Sequence, residues 1–558
     1  MRFLIMILLL CTSVNSNAQY SRYIIELTDK QNSPYSIKNP IQFLSPESIQ
    51  RKIRYNITLD STDLPVTPSY LDSIRSAGAV TILNTSKWLN QVLIKTTDPA
   101  ALVKISKWPF VKKTVPIAKR ANSFIIPGVQ SFTAKTNDIS TATLSSSTVN
   151  VLNYGMNLPQ IALHEGEYLH NKGFTGAGMK IAVLDAGFYR YQNITAFDSL
   201  RANGQILGTW DYVENGPSVN EDDSHGMMCL SIMAGNLPGT YIGTAPKARY
   251  YLFRTEDVAS EYPVEEQNWA AAAEKADSLG VDLITSSLGY NQFDDASFNH
   301  VYSDMDGTKT IVSKAAAFAV SKGMIVTNSA GNEGAKAWKY IIAPADVENV
   351  LTVGAINVNK QVASFSSYGP AAGGKIKPDV TSVGWNTVLI NTTGAVATGN
   401  GTSFSNPNMA GLVTCLWQAF PEFSNLEILD AIRKSTDHYT TPDVRTGYGI
   451  PNMRLAFNSL EAERFIRKAS NILKNDFIKL YPNPVQKETT ILYKGQVTGK
   501  LGIKITGMDG KFVRADSFDC KEGTYHYFTL SNLNVLSAGV YFLQYDDGVN
   551  KGMIRILK

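Results

Sequence analysis

The sequence predicts an α/β protein: a parallel sheet between helix layers, preceded by a small α+β unit and followed by a β-sandwich. Two patterns carry this reading. From 157 to 461, uninterrupted apolar strand segments (IAVLD, ARYYLFR, VDLITSSL, MIVTNSA, VLTVGAI) alternate with helical stretches such as 263–279 and 311–322. Strands apolar on both faces belong to parallel sheets covered by helices, and their crossovers are right-handed. From 470 to 558 the pattern changes to short strands (489–494, 501–506, 525–530, 540–545) with Met508-Asp509-Gly510 and Tyr545-Asp546-Asp547-Gly548 as turn signals, which is sandwich chemistry. At about 150 residues per domain, 558 residues give roughly three to four domains. With 44% hydrophobic and 18% charged residues the composition is globular. Lys plus Arg is 52 and Asp plus Glu 48, a net charge of +4. That near balance excludes a charge-driven nucleic-acid-binding body.

The first element is a removable one. Arg2 is a positive n-region, 3–10 is an uninterrupted apolar run, and Ser16-Asn17-Ala18 offers small residues for cleavage after Ala18. This is the grammar of a secretory signal peptide over 1–18. A membrane anchor would need about 20 apolar residues. A lipoprotein signal around Cys11 is disfavoured because Leu10 is too large for the residue before a lipidated Cys. Cys11, Cys229, Cys415 and Cys520 are too few and too widely spaced for a disulfide scaffold or a Cys-x-x-Cys zinc site. Signal removal leaves an odd number. Cys229 and Cys415 sit in apolar helical patterns and read as small buried hydrophobes, with their pairing left open.

Residues 19–118 form a compact small unit, with strands at 23–27 (YIIEL) and 91–95 (QVLIK), a helix over 99–111 and a closing strand at 113–115. Residues 119–156 follow as a linker, crowded with Ser and Thr over 129–150 and without hydrophobic periodicity.

Three segments of the 157–461 region carry chemistry. Lys180-Ile181-Ala182-Val183-Leu184-Asp185 is a buried strand ending in a carboxylate, at the edge where open α/β sheets place their sites. Asp222-Asp223-Ser224-His225-Gly226 places a histidine at the start of an apolar helix. Gly399-Asn400-Gly401-Thr402-Ser403-Phe404-Ser405-Asn406-Pro407 places a serine after a sharp glycine turn, with Pro407 suited to the helix's first turn. Each pattern alone is ordinary: a loop aspartate, a surface or core histidine, an N-cap serine. Order and spacing change that. Asp185, His225 and Ser403 run in sequence, and Asn328-Ser329-Ala330-Gly331-Asn332 places an amide at another strand end between the last two. Acyl transfer needs a nucleophile, a base, an orienting acid and oxyanion donors, and all four residue types are present in an order known for one convergent solution.

By these residues the region 157–461 resembles the subtilisin-like serine proteases (subtilases). Ser287-Leu288-Gly289 resembles their substrate-binding edge, with Ala330 and Gly331 opposite. Gly243-Thr244-Ala245-Pro246, Phe365-Ser366-Ser367-Tyr368-Gly369-Pro370 and Lys377-Pro378-Asp379-Val380 resemble further family segments in family order. The resemblance implies a subtilisin-like three-layer core with a parallel sheet. It also implies Ser403 as nucleophile, His225 as general base and acid, Asp185 as its orienting partner, and Asn332 as oxyanion donor, worth on the order of 3 kcal/mol. Departures are Met227 and Met228 after the His-Gly pair, Asn408 after the helix proline, and Ser382-Val383-Gly384 before the nucleophile segment. None removes a catalytic atom. No cofactor is implied. A structural calcium is possible but not assignable: residues 235–243 do not resemble the family's calcium loop. Asp304-x-Asp306-Gly307 lacks a terminal Glu and reads as a solvated acidic turn.

By the same resemblance, residues 19–118 look like an inhibitor-like propeptide domain. Leu480-Tyr481-Pro482-Asn483-Pro484-Val485 through 558 looks like a type IX secretion sorting domain. The expected protein is an exported serine endopeptidase made as a zymogen and released or held at the cell surface. Its partners would be protein or peptide substrates, its own propeptide and the type IX machinery. It would have no nucleic-acid partner and no transmembrane helix after signal cleavage. The alternative is a non-catalytic, surface-displayed binding module on the same scaffold. An acid peptidase of Ser-Glu-Asp type is disfavoured because His225 fills the base position. The acidic residues at 256–257 and 261–266 could favour basic side chains upstream of the cut, and read rather as a solvated approach to a helix.

Overall fold

The computed structural model describes residues 20–119, 150–220 and 223–558. The expected signal segment, Cys11, Asp222 and most of the Ser/Thr-rich linker lie outside the described residues. Residues up to Phe457 form one compact unit and Asn458–Lys558 a second.

The first unit begins with β1 (Tyr20–Leu27), α1 (Pro46–Arg54), α2 (Pro68–Arg75), β2 (Thr81–Ser86), β3 (Gln91–Lys95), α3 (Pro99–Ser106) and β4 (Val111–Lys119). The four strands form an antiparallel sheet of order β2-β3-β1-β4, a split βαβ arrangement. All three helices start with proline, which needs no N–H there. Ser45 and Asp98 cap α1 and α3 by accepting from backbone N–H groups. The helix expected over 99–111 stops at Ser106, ahead of Pro109, whose ring disfavours helical geometry in the residue before it. One sheet face buries Tyr23, Ile25 and Leu27 under its own helices. The other puts Ile24, Leu93 and Ile117 against Val264 of the central region.

The central region contains α4 (Leu158–Ala162), α5 (Gly166–Asn171), β5 (Lys180–Asp185), α6 (Asp198–Ala202), β6 (Ile206–Asp211), α7 (His225–Ala234), the two-residue strands β7 (Asn236–Leu237) and β8 (Tyr241–Ile242), β9 (Arg249–Arg254), α8 (Val264–Ser278), β10 (Leu283–Ser286), α9 (Ile311–Ser321), β11 (Ile325–Ser329), β12 (Leu351–Ile356), β13 (Val380–Val383), β14 (Thr387–Ile390), β15 (Val396–Gly399), α10 (Thr402–Ala419), α11 (Asn425–Lys434) and α12 (Met453–Leu473). A seven-stranded sheet of order β13-β12-β11-β10-β5-β9-β6 is parallel throughout. This is the subtilisin-like three-layer core, with α8 and α9 together and α7 and α10 together. Strand order reverses around β5, so the carboxyl ends of β5 and β10 open on the crevice where such sheets carry their sites. Helix α7 is buried at every residue, and α10 at every residue but Gln418. Hydrophobic periodicity therefore hardly marks either helix.

The last unit continues with β16 (Ile478–Tyr481), β17 (Thr489–Lys494), β18 (Gly499–Gly507), β19 (Phe512–Cys520), β20 (Tyr525–Leu530), β21 (Val540–Asp546) and β22 (Lys551–Leu557). Two antiparallel sheets, β16-β17-β20 and β19-β18-β21-β22, enclose Ile491, Tyr493, Leu501, Ile503, Ile505, Leu543 and Ile556. The four expected strands are all present. β16, β19 and β22 are additional, and β19 (FVRADSFDC) is masked in sequence by polar residues at its half-exposed positions. Among the described residues no helix is long and apolar enough to cross a membrane.

Candidate active site

Asp185 is the last residue of β5 and has no solvent exposure. Its Oδ1 accepts from Ala186 N at 2.8 Å and from His225 Nδ1 at 2.7 Å. His225 opens α7, and its backbone N–H is held by Asp223 Oδ1 at 2.6 Å. The following glycine makes the approach possible. A Cβ on Gly226 would lie 2.7 Å from Asp185 Cβ and 2.6 Å from the Gly187 carbonyl. Burial opposes charge on the imidazole, but the Asp185 carboxylate beside it prevails. The His225 pKa is held well above its ordinary value.

Ser403 is the second residue of α10, which begins at Thr402. Pro407 therefore lies inside the helix, not in its first turn as expected. A proline there cannot donate to the carbonyl four residues back, and that carbonyl belongs to Ser403. Two side chains take the released acceptor: Ser287 Oγ at 2.9 Å and Cys229 Sγ at 3.3 Å. The Ser403 hydroxyl donates to the Ser287 carbonyl at 3.3 Å. Cys229 Sγ also lies 3.9 Å from His225 Nδ1, so one thiol touches both helices of the site. Asn332 turns its Oδ1 to Thr402, accepting from N at 2.9 Å and Oγ1 at 3.0 Å. The amide nitrogen is thus the end left to face the cleft. Asn406 donates to Thr285 Oγ1 and the Ser286 carbonyl, both at 3.0 Å, tying α10 to the end of β10.

Asp185, His225, Ser403 and Asn332 are thus joined through direct bonds and through Ser287, Cys229 and Thr402. Sequence reasoning missed Thr402, Cys229 and Asn406, although all three stand within the quoted motifs or one helical turn beyond them. Of the expected substrate-binding residues, Ser287, Leu288 and Gly289 continue from β10. Gly331 follows β11 opposite them, its N–H donating to Thr402 Oγ1 at 3.2 Å. Ala330 is fully buried and turns its methyl into a cluster with Ile341, Ala345 and Ala371, so only its backbone faces the cleft region.

The departures are internally matched. Asn408 donates to Ser382 Oγ at 3.0 Å, and the same hydroxyl meets His164 Nε2 at 2.9 Å. Burial pushes His164 down to about 4, so it is neutral there. Met227 and Met228 are buried. Cys229, Cys415 and Cys520 are free thiols, which settles the pairing question.

The acidic stretch differs from expectation. Glu256, Glu265 and Glu266 are not solvated but buried, and their oxygens are taken internally. Glu256 accepts from Thr255 and Tyr290. Glu265 accepts from Asp257 N and Tyr262 N. Glu266 accepts from His300 and Val312 N. The helix start consumes these carboxylates because α8 and its approach are packed between the two parts of the first unit. Burial lifts Glu256 to about 7 and Glu261 to about 8.

The Asp304–Asp306 turn holds a cation of its own: Lys309 Nζ lies 3.4 Å from Asp304 and 3.9 Å from Asp306. Asp185, His225 and Cys229 are the set among the described residues whose donor atoms cluster closely enough to bind a metal, within 4.8 Å of one another. His225 Nδ1 is already bonded to Asp185, and burial holds the Cys229 thiol protonated, which suits a hydrogen-bonded pair rather than a ligand set.

Residues 176–449 match the subtilase family (peptidase S8). Residues 22–135 match the peptidase S8 propeptide domain of Bacteroidota, and 479–558 the secretion system C-terminal sorting domain. M-protease of Shouchella clausii (strain KSM-K16) is 28% identical over 267 residues, 48% of this chain and 61% of its own length. Subtilisin Savinase of Lederbergia lenta is 27% identical over 288 residues, 51% of this chain and 93% of its own. The crystal structure of MycP1 from Mycobacterium smegmatis superposes with a TM-score of 0.44 at 22% identity, over 58% of this chain and 89% of that one. The chain thus carries an S8 propeptide domain, a serine-peptidase domain of the subtilase family and a sorting domain that directs secretion or cell-surface attachment.

Proposed function

From a subtilase-family domain with these contacts, we propose that the chain is a secreted serine endopeptidase made as a zymogen. Its parts would be a signal peptide (1–18), an inhibitor-like propeptide domain (19–118), a linker with the processing region (119–156), the peptidase domain (157–461) and the sorting sandwich (470–558). The observation that carries the reading is the buried 2.7 Å contact between Asp185 and His225 Nδ1. With Nδ1 committed to Asp185, Nε2 is the ring nitrogen that acts as the base, in the same cluster as a serine at a helix N-terminus.

In this reading Ser403 Oγ attacks the scissile carbonyl while His225 Nε2 takes its proton. Asp185 stabilises the imidazolium, which then protonates the leaving amine, and water repeats the cycle on the acyl-enzyme. The Ser403 N–H and the Asn332 amide nitrogen receive the oxyanion, aided by the α10 dipole. The donors cost little to align, because Thr402 already holds the Asn332 amide. Protein and peptide chains are the substrates, and the chain's own propeptide is the first inhibitor. The test is Ser403→Ala in the full chain: propeptide removal and peptide hydrolysis should both stop. Hydrolysis at the unaltered rate would refute the reading.

A further inference from the structure

We propose that Ile342 closes the primary specificity slot of this protease and restricts it to peptides with a small side chain on the acyl side of the cut bond. The proposal rests on the catalytic reading above. The slot walls are the two chain segments that leave the sheet after the last β10–β11 pair, Ser286 with Asn328. One wall is Ser287-Leu288-Gly289, and the other is Ala330-Gly331 leading into Asn332. Both walls are fixed beside the nucleophile: Ser287 Oγ holds the Ser403 carbonyl, and Gly331 N–H holds Thr402. A residue whose carbonyl meets Ser403 and Asn332 must project its side chain between them.

That gap already contains a side chain. A Cβ placed on Gly289 would lie 2.4 Å from Ile342 Cδ1 and 2.5 Å from Cγ1. A Cβ on Gly331 would lie 3.0 and 3.1 Å from the same two atoms. One isoleucine therefore rests on both walls, and each wall needs glycine at its contact point to admit it. Ile342 cannot easily withdraw. Its carbonyl accepts from Ala345 N at 2.9 Å, and the next carbonyl, of Ala343, accepts from Tyr290 N at 2.9 Å. The β-branched side chain is stiff at χ1. Ile342 keeps 7% exposure, as the end wall of a shallow recess would. The atoms nearest a Cβ on either glycine belong to Ile342, Ala343 and Ser367, none of them charged. The accepted side chains are therefore small and uncharged: Ala, Gly or Ser.

The test uses the full chain after propeptide removal. A small fluorophosphonate first reads Ser403 reactivity without filling the slot. Peptide anilides differing only in Ala, Leu or Phe before the cut then read the slot. Wild type should cleave after Ala at least tenfold better than after Phe by kcat/KM. Ile342→Gly should raise the Phe-to-Ala ratio by roughly 10²-fold, with Ile342→Ala and Ile342→Val giving graded increases should the glycine variant fold poorly. Labelling of Ser403 with Phe cleaved as well as Ala, or with a ratio unmoved across the series, would overturn the slot closure alone. Absence of labelling would overturn the catalytic reading and this proposal with it.

Discussion

Two aspartates in this molecule are equally buried, with no exposure, and behave as opposites. Asp277, near the end of α8, meets three cations from the N-terminal domain: Arg51 at 2.6 Å, Lys52 at 2.8 Å and Lys87 at 3.1 Å. Burial opposes its charge, but Lys87, Lys52 and Arg51 outweigh it and hold its carboxyl well below the usual range. Asp185 accepts hydrogen bonds from one titratable side chain, His225, and from one backbone N–H. A carboxylate over-paired with fixed cations never changes state and acts as a lock between domains. A carboxylate paired with a single imidazole can serve a partner whose charge must come and go. The kind of partner, more than the burial, separates a lock from a moving part.

The largest effect that breaks this comparison is at the moving part. Asp185→Asn should lower kcat by about 10⁴-fold, because an amide favours the wrong imidazole tautomer. It is measured by peptide hydrolysis after an added protease has removed the propeptide. A loss below tenfold would show that Asp185 does not orient the base.

Next is the lock. Asp277→Asn leaves three buried cations facing a neutral amide, a loss of about 3–5 kcal/mol. Inhibition by added propeptide should weaken by roughly 10²- to 10⁴-fold, with peptide hydrolysis by the mature enzyme unchanged. Equal inhibition constants in variant and wild type would dismiss the lock.

The third prediction concerns pH. The raised His225 pKa means that the free-base form appears only as pH climbs above the ordinary histidine value of about 6.5. The acid limb of kcat/KM should therefore lie above that value. The linked stability runs the other way. A raised folded pKa adds stability that is fully present below the unfolded pKa and is lost as pH rises through the folded one. Activity should rise and the His225-linked stability should fall over the same window. An acid limb at or below pH 6 would contradict both.

The smallest effect is at Glu274, one turn from Asp277. It accepts from the Lys87 N–H at 2.6 Å, the Trp88 N–H at 3.0 Å and the Ser86 hydroxyl. Burial lifts it to about 6 despite Lys87, so its contribution to the domain contact is fully present below the ordinary carboxylate value and is lost as pH rises through about 6. Propeptide affinity should fall about tenfold at most from pH 5 to 7. Glu274→Gln should flatten that slope, and an unchanged slope would assign it elsewhere.

The central layers were legible because both-face apolar strands are a strong signal. The four candidate positions, Asp185, His225, Ser403 and Asn332, were legible because glycines and strand ends mark them. The helices at 46–54 and 68–75 were not, since they are short and polar and announce themselves only by Ser-Pro and Thr-Pro starts. The fate of Glu256, Glu265 and Glu266 was not legible either. An acidic run reads as solvated unless the elements that cover it are known, and those come from residues 290 to 312.

By itself the sequence determined the order of the propeptide, peptidase and sorting domains, the strand that ends in Asp185, the helix that begins with His225 and the turn that presents Ser403. These are local facts, written in periodicity, glycine placement and short motifs. Only the tertiary structure decided that Pro407 frees the Ser403 carbonyl for Ser287 and Cys229, that Asp277 is met by three cations more than 180 residues away, and that Ile342 lies between Gly289 and Gly331. Each of these joins residues distant in the chain, and no local pattern records which distant side chain will fill a given gap.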